Sequence, residues 1–371
     1  MSDNHLHIVS FDVPYPANYG GVIDVFYKVK ALSERGVKVH LHCFEYGRQP
    51  AECLEDICYS VNYYKRKTNA SLLLRQQPYI VCSRHSDALL ENLKKDNHNI
   101  LLEGLHSCDV LLDDTVADRK IFVRTHNVEH EYYRYLAKTE KNFKKRMFLL
   151  LEAGKLSRFE SVLAKADGIL PISPKDYEHF AEHFDKVSLI TAYNAFDTVD
   201  IMKGKGDFVL YHGNLEVSEN YDAAAFLVEV FKNTDIILKI AGKNPPEFLK
   251  QKIAGISNVE LIESPDDDAM QDLIRNAHVN ILVTAQSTGL KLKLLNALFN
   301  GRFCVVNDKM VEGLETNGLL FQVDDAESLR ETVFRLMQQT FDDEQIEHRK
   351  KKMAEFYNLA ATTDKLLQLL F

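Results

Sequence analysis

Four stretches combine residue types and spacing suited to phosphate and sugar chemistry. Tyr19-Gly20-Gly21 stands between an apolar run, His7 to Val13, and a helical pattern. Paired glycines let backbone approach a ligand closely and leave helix N–H groups free to bind an anion. The stretch is not G-x-G-x-x-G, so the dinucleotide fingerprint is absent; a tight turn is the plain alternative. Thr125-His126-Asn127 follows the short strand pattern IFVR. There a neutral His126 can hydrogen-bond a sugar hydroxyl or take a proton. Otherwise Asn127 caps the next helix while His126 packs. Glu103 and His106 follow another strand pattern and can border the same cleft.

The third stretch runs Ser287, Thr288, Gly289, Leu290, Lys291, Leu292, Lys293. Leu290, Leu294, Leu295, Leu298 and Phe299 mark the buried face of a helix, which puts Lys291 and Lys293 in its first turn. Cations are unfavourable at that end of the macrodipole. A bound diphosphate reverses the argument, because free N–H groups and two ammonium groups then meet a dianion. The fourth stretch, His212-Gly213-Asn214-Leu215, follows the strand pattern FVLY and is either a phosphate turn or an ordinary loop.

Two other features invite chemistry and have simpler readings. Asp266-Asp267-Asp268 precedes a helical pattern. Without ligand spacing it reads as a helix cap rather than a metal site. The segment KNFKKRMFLL (141–150) is basic, then apolar. It reads as a helix with a solvated face, or as a weak peripheral contact with an anionic membrane.

Strand and helix patterns alternate along the chain, which predicts α/β architecture with mostly parallel sheets. Strands are expected at His7–Val13, Val37–Phe44, 99–102, 121–125, 167–172 and 187–191. They resume at 208–211, 236–241, 279–283 and 303–306. The polar stretch 196–206 reads as a linker between a domain of residues 1–195 and one of residues 207–352. The amphipathic tail 353–371 is expected to return to the first domain.

With 371 residues, two domains are the natural count. The formal net charge of −9 argues against non-specific nucleic-acid binding. No run of about 18 apolar residues suggests a membrane span. No signal-peptide pattern opens the chain, so a cytoplasmic protein, in part membrane-associated, is expected. The six cysteines form no Cys-x-x-Cys pair and read as reduced core residues, with no metal site.

The order of these motifs resembles the group 1 glycosyltransferases, the large retaining, family 4-like group of GT-B fold. The resemblance rests on FDVPYPANYGGVIDVFYKVKAL, RTHNVEHEYYRYL, ADGILPISPKDYEHF, VSLITAYNAFD, LYHGNLEVSENYDAAAFL and STGLKLKLLNALFNGRFCVVND. It implies two Rossmann-like domains facing a central cleft, with a C-terminal helix crossing back. It implies an activated-sugar donor such as a UDP- or GDP-sugar, retention at the anomeric carbon, and no required metal or other cofactor. Acceptors are glycans or lipid-linked chains, commonly in polysaccharide biosynthesis. Carried onto this chain, Gly20 and Gly21 lie near the donor phosphates and acceptor, and His126 reaches the transferred sugar. Gly213 and the Lys291/Lys293 segment hold the diphosphate.

This sequence departs from the pattern in two places. Where many members carry Gly-Arg-Leu and then a lysine, it has Asn214 and, near the lysine's place, Glu219. The family's paired glutamates fall at Thr288 and Asn296. Gly289 to Lys293 fits the Gly-x-x-x-Lys variant, so Lys293, with Lys291, is expected to replace the missing clamp. Two other readings share the fold: another GT-B enzyme such as a sugar-nucleotide epimerase, and a non-catalytic nucleotide-sugar-binding protein.

Overall fold

The computed structural model describes residues 4–116, 118–140, 142–285, 292–311 and 318–371. The chain divides into two compact units. One comprises the residues up to Ala195 together with Leu359–Phe371; the other lies within 196–358.

The first unit is built on six parallel strands: β1 (His5–Ser10), β2 (Lys38–Glu45), β3 (Ser60–Lys65), β4 (Asn99–Glu103), β5 (Ile121–Thr125) and β6 (Gly168–Pro171). Their spatial order is β3-β2-β1-β4-β5-β6. The second unit has β7 (Phe208–His212), β8 (Ile237–Gly242), β9 (Val259–Glu263), β10 (Val279–Leu282), β11 (Phe303–Val306) and β12 (Phe321–Gln322), in the order β12-β11-β10-β7-β8-β9. Read from its own first strand, the second sheet repeats the order of the first. Both follow the doubly wound 3-2-1-4-5-6 pattern, in which the winding reverses beside the first strand.

Apolar side chains on both faces of the central strands explain why the sheets are buried and parallel. In the first sheet Leu6 and Ile8 pack with Val25, Val29 and Leu32 of the helix Gly20–Glu34. Val9, Leu102 and Val123 point into a second core on the other face. The final helix, Leu359–Leu370, places Leu366 and Leu370 in the first of these cores, and the Leu370 carbonyl accepts from Asn99 Nδ2 at 2.6 Å. It is separated at Tyr357-Asn358 from the helix Asp343–Phe356, whose buried Met353 lies in the second unit.

One expected strand is corrected. Val187–Thr191 forms only an isolated bridge to Ile169, not a strand. Its N–H groups reach β6 at Ile169 and Pro171, but Pro171 has no N–H to return, and the ladder stops. On the helix Ser218–Phe231 the buried residues are Ala224, Leu227, Val228 and Phe231, while Phe226 faces solvent. β3, β9 and β12 were not expected. SVNYYK and VELIE carry polar residues at half their positions, and FQ is two residues long.

Candidate active site

In such sheets ligands bind beyond the carboxyl ends of the strands, at the reversal point. In the first unit that is the end of β1 and β4; in the second, the end of β7 and β10.

The first of these places holds a buried ion network. Asp24 and Lys28 lie one turn apart on the Gly20–Glu34 helix, among its buried valines. Asp24 accepts from Arg124 Nε at 3.0 Å and Nη2 at 2.8 Å, from Lys28 Nζ at 2.9 Å and from the Tyr193 N–H at 2.8 Å. Lys28 Nζ also sits 2.7 Å from Glu103 Oε1, and Glu103 Oε2 is 3.1 Å from His126 Nε2. Asp24, Lys28, Glu103 and Arg124 are at most 1% exposed. Burial alone would raise the Asp24 pKa, but Arg124 and Lys28 hold it well below the usual carboxylate range. Glu103 Oε2 accepts the hydrogen bond from His126 Nε2–H in the tautomer that leaves Nδ1 as the lone-pair nitrogen. Among the described residues Nδ1 has no hydrogen-bond partner, although it is buried. In that tautomer His126 presents Nδ1 as its acceptor.

The glycine loop closes over this network. Gly20 starts the helix, and the N–H groups of its first turn are those a helix leaves unpaired. Gly21 is needed for packing: a Cβ there would lie 2.6 Å from Cζ of Phe11. The Phe11 ring stands edge-on to His126, with centroids 5.5 Å apart, and 5.3 Å from His106. Tyr19 donates to Asp12 at 2.9 Å, and Arg48 donates to the Val13 and Pro16 carbonyls at 3.2 and 2.7 Å. Beside the loop lies an open hollow of about 720 Å³, lined by Tyr15, Pro16, Asn18, Arg48 and Gln49 among others.

His106 is partly exposed and its Nδ1 is 3.9 Å from Glu129. Burial and then Arg84 push the His106 pKa well down. Glu129, four per cent exposed, is driven up to about 8 by burial and by Asp176. It is a neutral acid at pH 7. Asn127 does not cap the helix Glu129–Thr139, whose first position follows Val128. Its side chain hydrogen-bonds the Glu129 carboxyl instead.

In the second unit the turn after β7 is tight. The Gly213 N–H reaches the Ala241 carbonyl at 3.1 Å, and a Cβ on Gly213 would press on Asn220 at 3.0 Å. Asn214 Oδ1 accepts the Glu216 N–H, and the Asn214 carbonyl accepts from Asn220 Nδ2 at 2.9 Å. Asn214 thus shapes the turn. Lys293 lies in the first described turn of the helix Leu292–Asn300, with Nζ 3.3 Å from Asn220 Oδ1 and 5.5 Å from the centre of the Tyr211 ring. His212 is buried, its Nε2 has no hydrogen-bond partner among the described residues, and burial followed by the nearby Lys293 charge pushes its pKa down to about 3. Asn296 sits one turn further on and accepts from Asn300 Nδ2 at 2.9 Å. Thr288, Gly289, Leu290 and Lys291 lie outside the described residues.

Sequence reading missed Asp24, Lys28, Arg124, Glu129 and Asn220. Signals existed for three of them: an i, i+4 acid–base pair inside an apolar helical stripe, and an arginine within the strand IFVRT. Burial of Glu129 and the reach of Asn220 had none. The acidic run is a cap, with Asp266 accepting from the Ala269 N–H at 2.8 Å.

Comparisons with known proteins agree with this architecture. A curated relative, an uncharacterized 44.6 kDa protein in a cps region of Klebsiella pneumoniae, is 29% identical over 332 residues, 84% of each chain. A glycosyltransferase from Rickettsia africae superposes with a TM-score of 0.70 at 13% identity, covering 100% of this chain and 98% of that one. Anabaena Alr3699/HepE, solved in complex with UDP and glucose, superposes with a TM-score of 0.67 at 11% identity, covering 98% of each chain. At such identities the likeness concerns the fold. Residues 206–339 match the family model described as glycosyl transferases group 1. The chain accordingly has the GT-B fold, and the stretch of its second unit from 206 to 339 is similar to the group 1 glycosyl transferases.

Proposed function

We propose that the protein transfers a hexose-type sugar, with retention, from a nucleotide-diphosphate donor to a glycan or lipid-linked acceptor. The observation that carries this reading is the grouping of Gly213, Asn220 and Lys293 at the reversal point of the sheet in the second unit. A tight glycine turn and an ammonium positioned by the Asn220 amide suit a diphosphate. HepE binds UDP on the same fold, which supports a UDP- or GDP-sugar here.

In this reading the diphosphate meets Lys293, the Gly213 turn and the lysine-bearing segment before Leu292. As the bond from the anomeric carbon to the phosphate oxygen lengthens, negative charge grows on the leaving group. Preorganised positive charge and N–H dipoles stabilise that charge without a protein nucleophile. The first unit is the acceptor side. There His126 Nδ1, without a hydrogen-bond partner among the described residues, serves to orient a sugar hydroxyl. No metal or further cofactor is required in this reading.

The face of the helix Phe143–Phe159 supports a membrane-borne acceptor. Phe143 is 73% exposed, and Met147, Leu150 and Leu151 are exposed beside Lys144, Lys145 and Arg146. Lys155 bonds the Leu73 carbonyl at 2.9 Å, bringing Leu74, 90% exposed, alongside.

One observation favours a second reading. Asn214, at the position of the family's arginine, is spent on the turn. A protein that binds nucleotide sugar without transferring it would tolerate that loss. Calorimetric titration with UDP, GDP, ADP, CDP and dTDP, followed by donor hydrolysis and product stereochemistry, separates the two. Micromolar binding of one nucleotide, weakened by Lys293→Ala and accompanied by turnover, upholds transfer. Binding without turnover selects the second reading, and no binding by folded protein overturns both.

A further inference from the structure

On the face of the first sheet that carries Val9, the N-terminal edge ends in histidines. His5 and His7 of β1, His40 and His42 of β2, and His98 just before β4 lie side by side across three adjacent strands. This is the edge opposite the candidate active site. The five rings divide into two sets.

The inner pair is occupied. Asp96 Oδ1 lies 2.9 Å from His7 Nε2, His7 Nδ1 2.8 Å from His42 Nε2, and His42 Nδ1 2.8 Å from Tyr64 Oη, which accepts from Asn92 Nδ2 at 2.8 Å. Every nitrogen of this pair is used, and the chain has one consistent direction of donation, towards Asp96. The outer three, His5, His40 and His98, are partly exposed. One ring nitrogen from each lies within 4.8 Å of the other two. Ring centroids are 5.1 Å apart for His5 and His40, 4.4 Å for His5 and His98, and 5.8 Å for His40 and His98.

We propose that His5, His40 and His98 bind a divalent cation of the zinc class, which ties β2, β1 and β4 together at this edge. Three imidazoles suit zinc, nickel, cobalt or copper rather than magnesium or calcium. Zinc–nitrogen bonds of about 2.0–2.1 Å in tetrahedral geometry put ring centroids about 5 Å apart. The observed separations bracket that value. His5 Nδ1 and His40 Nε2 stand 2.8 Å apart and share one proton. Shifting that proton to the other nitrogen of the donor ring and separating the two facing nitrogens to about 3.3 Å makes room for the ion.

The rings are now nearly parallel, so binding turns them about χ2, a broad torsion that resists little. The outer contact of His40 is already in place. Its Nδ1 is 2.9 Å from Ser60 Oγ, the kind of hydrogen bond that fixes the tautomer of a ligating histidine. Negative charge is close by, since Asp96 accepts the His98 N–H at 3.0 Å. Water completes the coordination. The ion braces the sheet and takes no part in sugar transfer.

The test uses untagged, full-length protein stripped by a chelator. Zn²⁺ is titrated by calorimetry and Co²⁺ by visible absorption, with melting followed in parallel. The expected result is one ion per chain, a raised Tm, and affinity weakened at least about tenfold in both His98→Ala and His5→Ala. His130, Glu160 and His179 form another such cluster, so His179→Ala is the control and leaves binding unchanged. Failure of the wild type to bind overturns the proposal. So does binding that persists in folded His98→Ala, or binding lost in His179→Ala. An unchanged metal-free Tm in His98→Ala shows that the loss is of a ligand and not of the fold.

Discussion

At the ends of β1 and β4 the first unit places four buried charges in mutual contact; at the end of β7 the second places a glycine turn, an amide and one lysine. The strand order around both places is the same. In the first, each charge has a partner of opposite sign: Asp24 with Arg124 and Lys28, Lys28 with Glu103. His126 Nδ1 is left without a hydrogen-bond partner among the described residues. In the second, Lys293 is steadied by Asn220, and His212 has been kept neutral beside it. One topology thus supports a place built on paired charges and a place built on a glycine turn, an amide and a lysine. Fold alone does not distinguish the two reversal points; the side chains that line them do.

Four experiments strain that contrast, from the largest effect to the smallest. Asp24→Ala leaves Arg124 and Lys28 buried with one carboxylate between them. Removing one partner of such a network costs about 3–5 kcal/mol. Urea unfolding should show the first unit melting at much lower denaturant. A loss under about 1 kcal/mol would mean the network is not a locked balance.

Lys293→Ala is expected to weaken nucleotide-diphosphate binding about 10- to 100-fold, the range for a charge-assisted hydrogen bond. The melting temperature should barely move. A large loss of stability with unaltered binding would make Lys293 a structural residue and erase the contrast.

Glu129 sharpens it through pH. Its folded pKa of about 8 lies above the ordinary value of 4.5, so the folded state holds a proton that the unfolded state releases. Its contribution is fully present below pH about 4.5 and is lost as pH rises through about 8. Glu129→Gln should therefore gain stability relative to wild type between pH 6 and pH 9, on the order of 1–3 kcal/mol. Melting curves at the two pH values decide it; parallel curves would contradict a protonated Glu129.

The smallest effect concerns the exposed helix face. Lys144→Gln with Lys145→Gln should reduce sedimentation with anionic phospholipid vesicles a few-fold, with added salt reducing it in wild type as well. Sedimentation indifferent to both charge removal and salt would leave that face an ordinary solvated surface.

Much of the second place was legible. Gly213 and Lys293 stood out because a glycine after an apolar strand and a lysine at a helix start are local features, readable from a few neighbours. Asn214 was legible in its identity but not its role. Its bond to the Glu216 N–H depends on the turn's path, as Asn220 does on the same path. In the first place His126 was visible at a strand end, whereas Glu103 was expected beside an open cleft and lies wholly buried against Lys28. That pairing joins residues 75 positions apart, 103 less 28, and no local spacing announces it.

Apolar periodicity and its alternation by themselves determined two α/β units, the end of most strands, and which loops stand beyond those ends, because period and turn chemistry act over a few residues. Only the tertiary structure decided which charges cancel. Strand order brings Arg124 of β5 to the Asp24 helix and His98 to His5, and burial then makes each charge find a partner or shift its pKa. Those choices depend on contacts across the sheet, where distance along the chain carries no information.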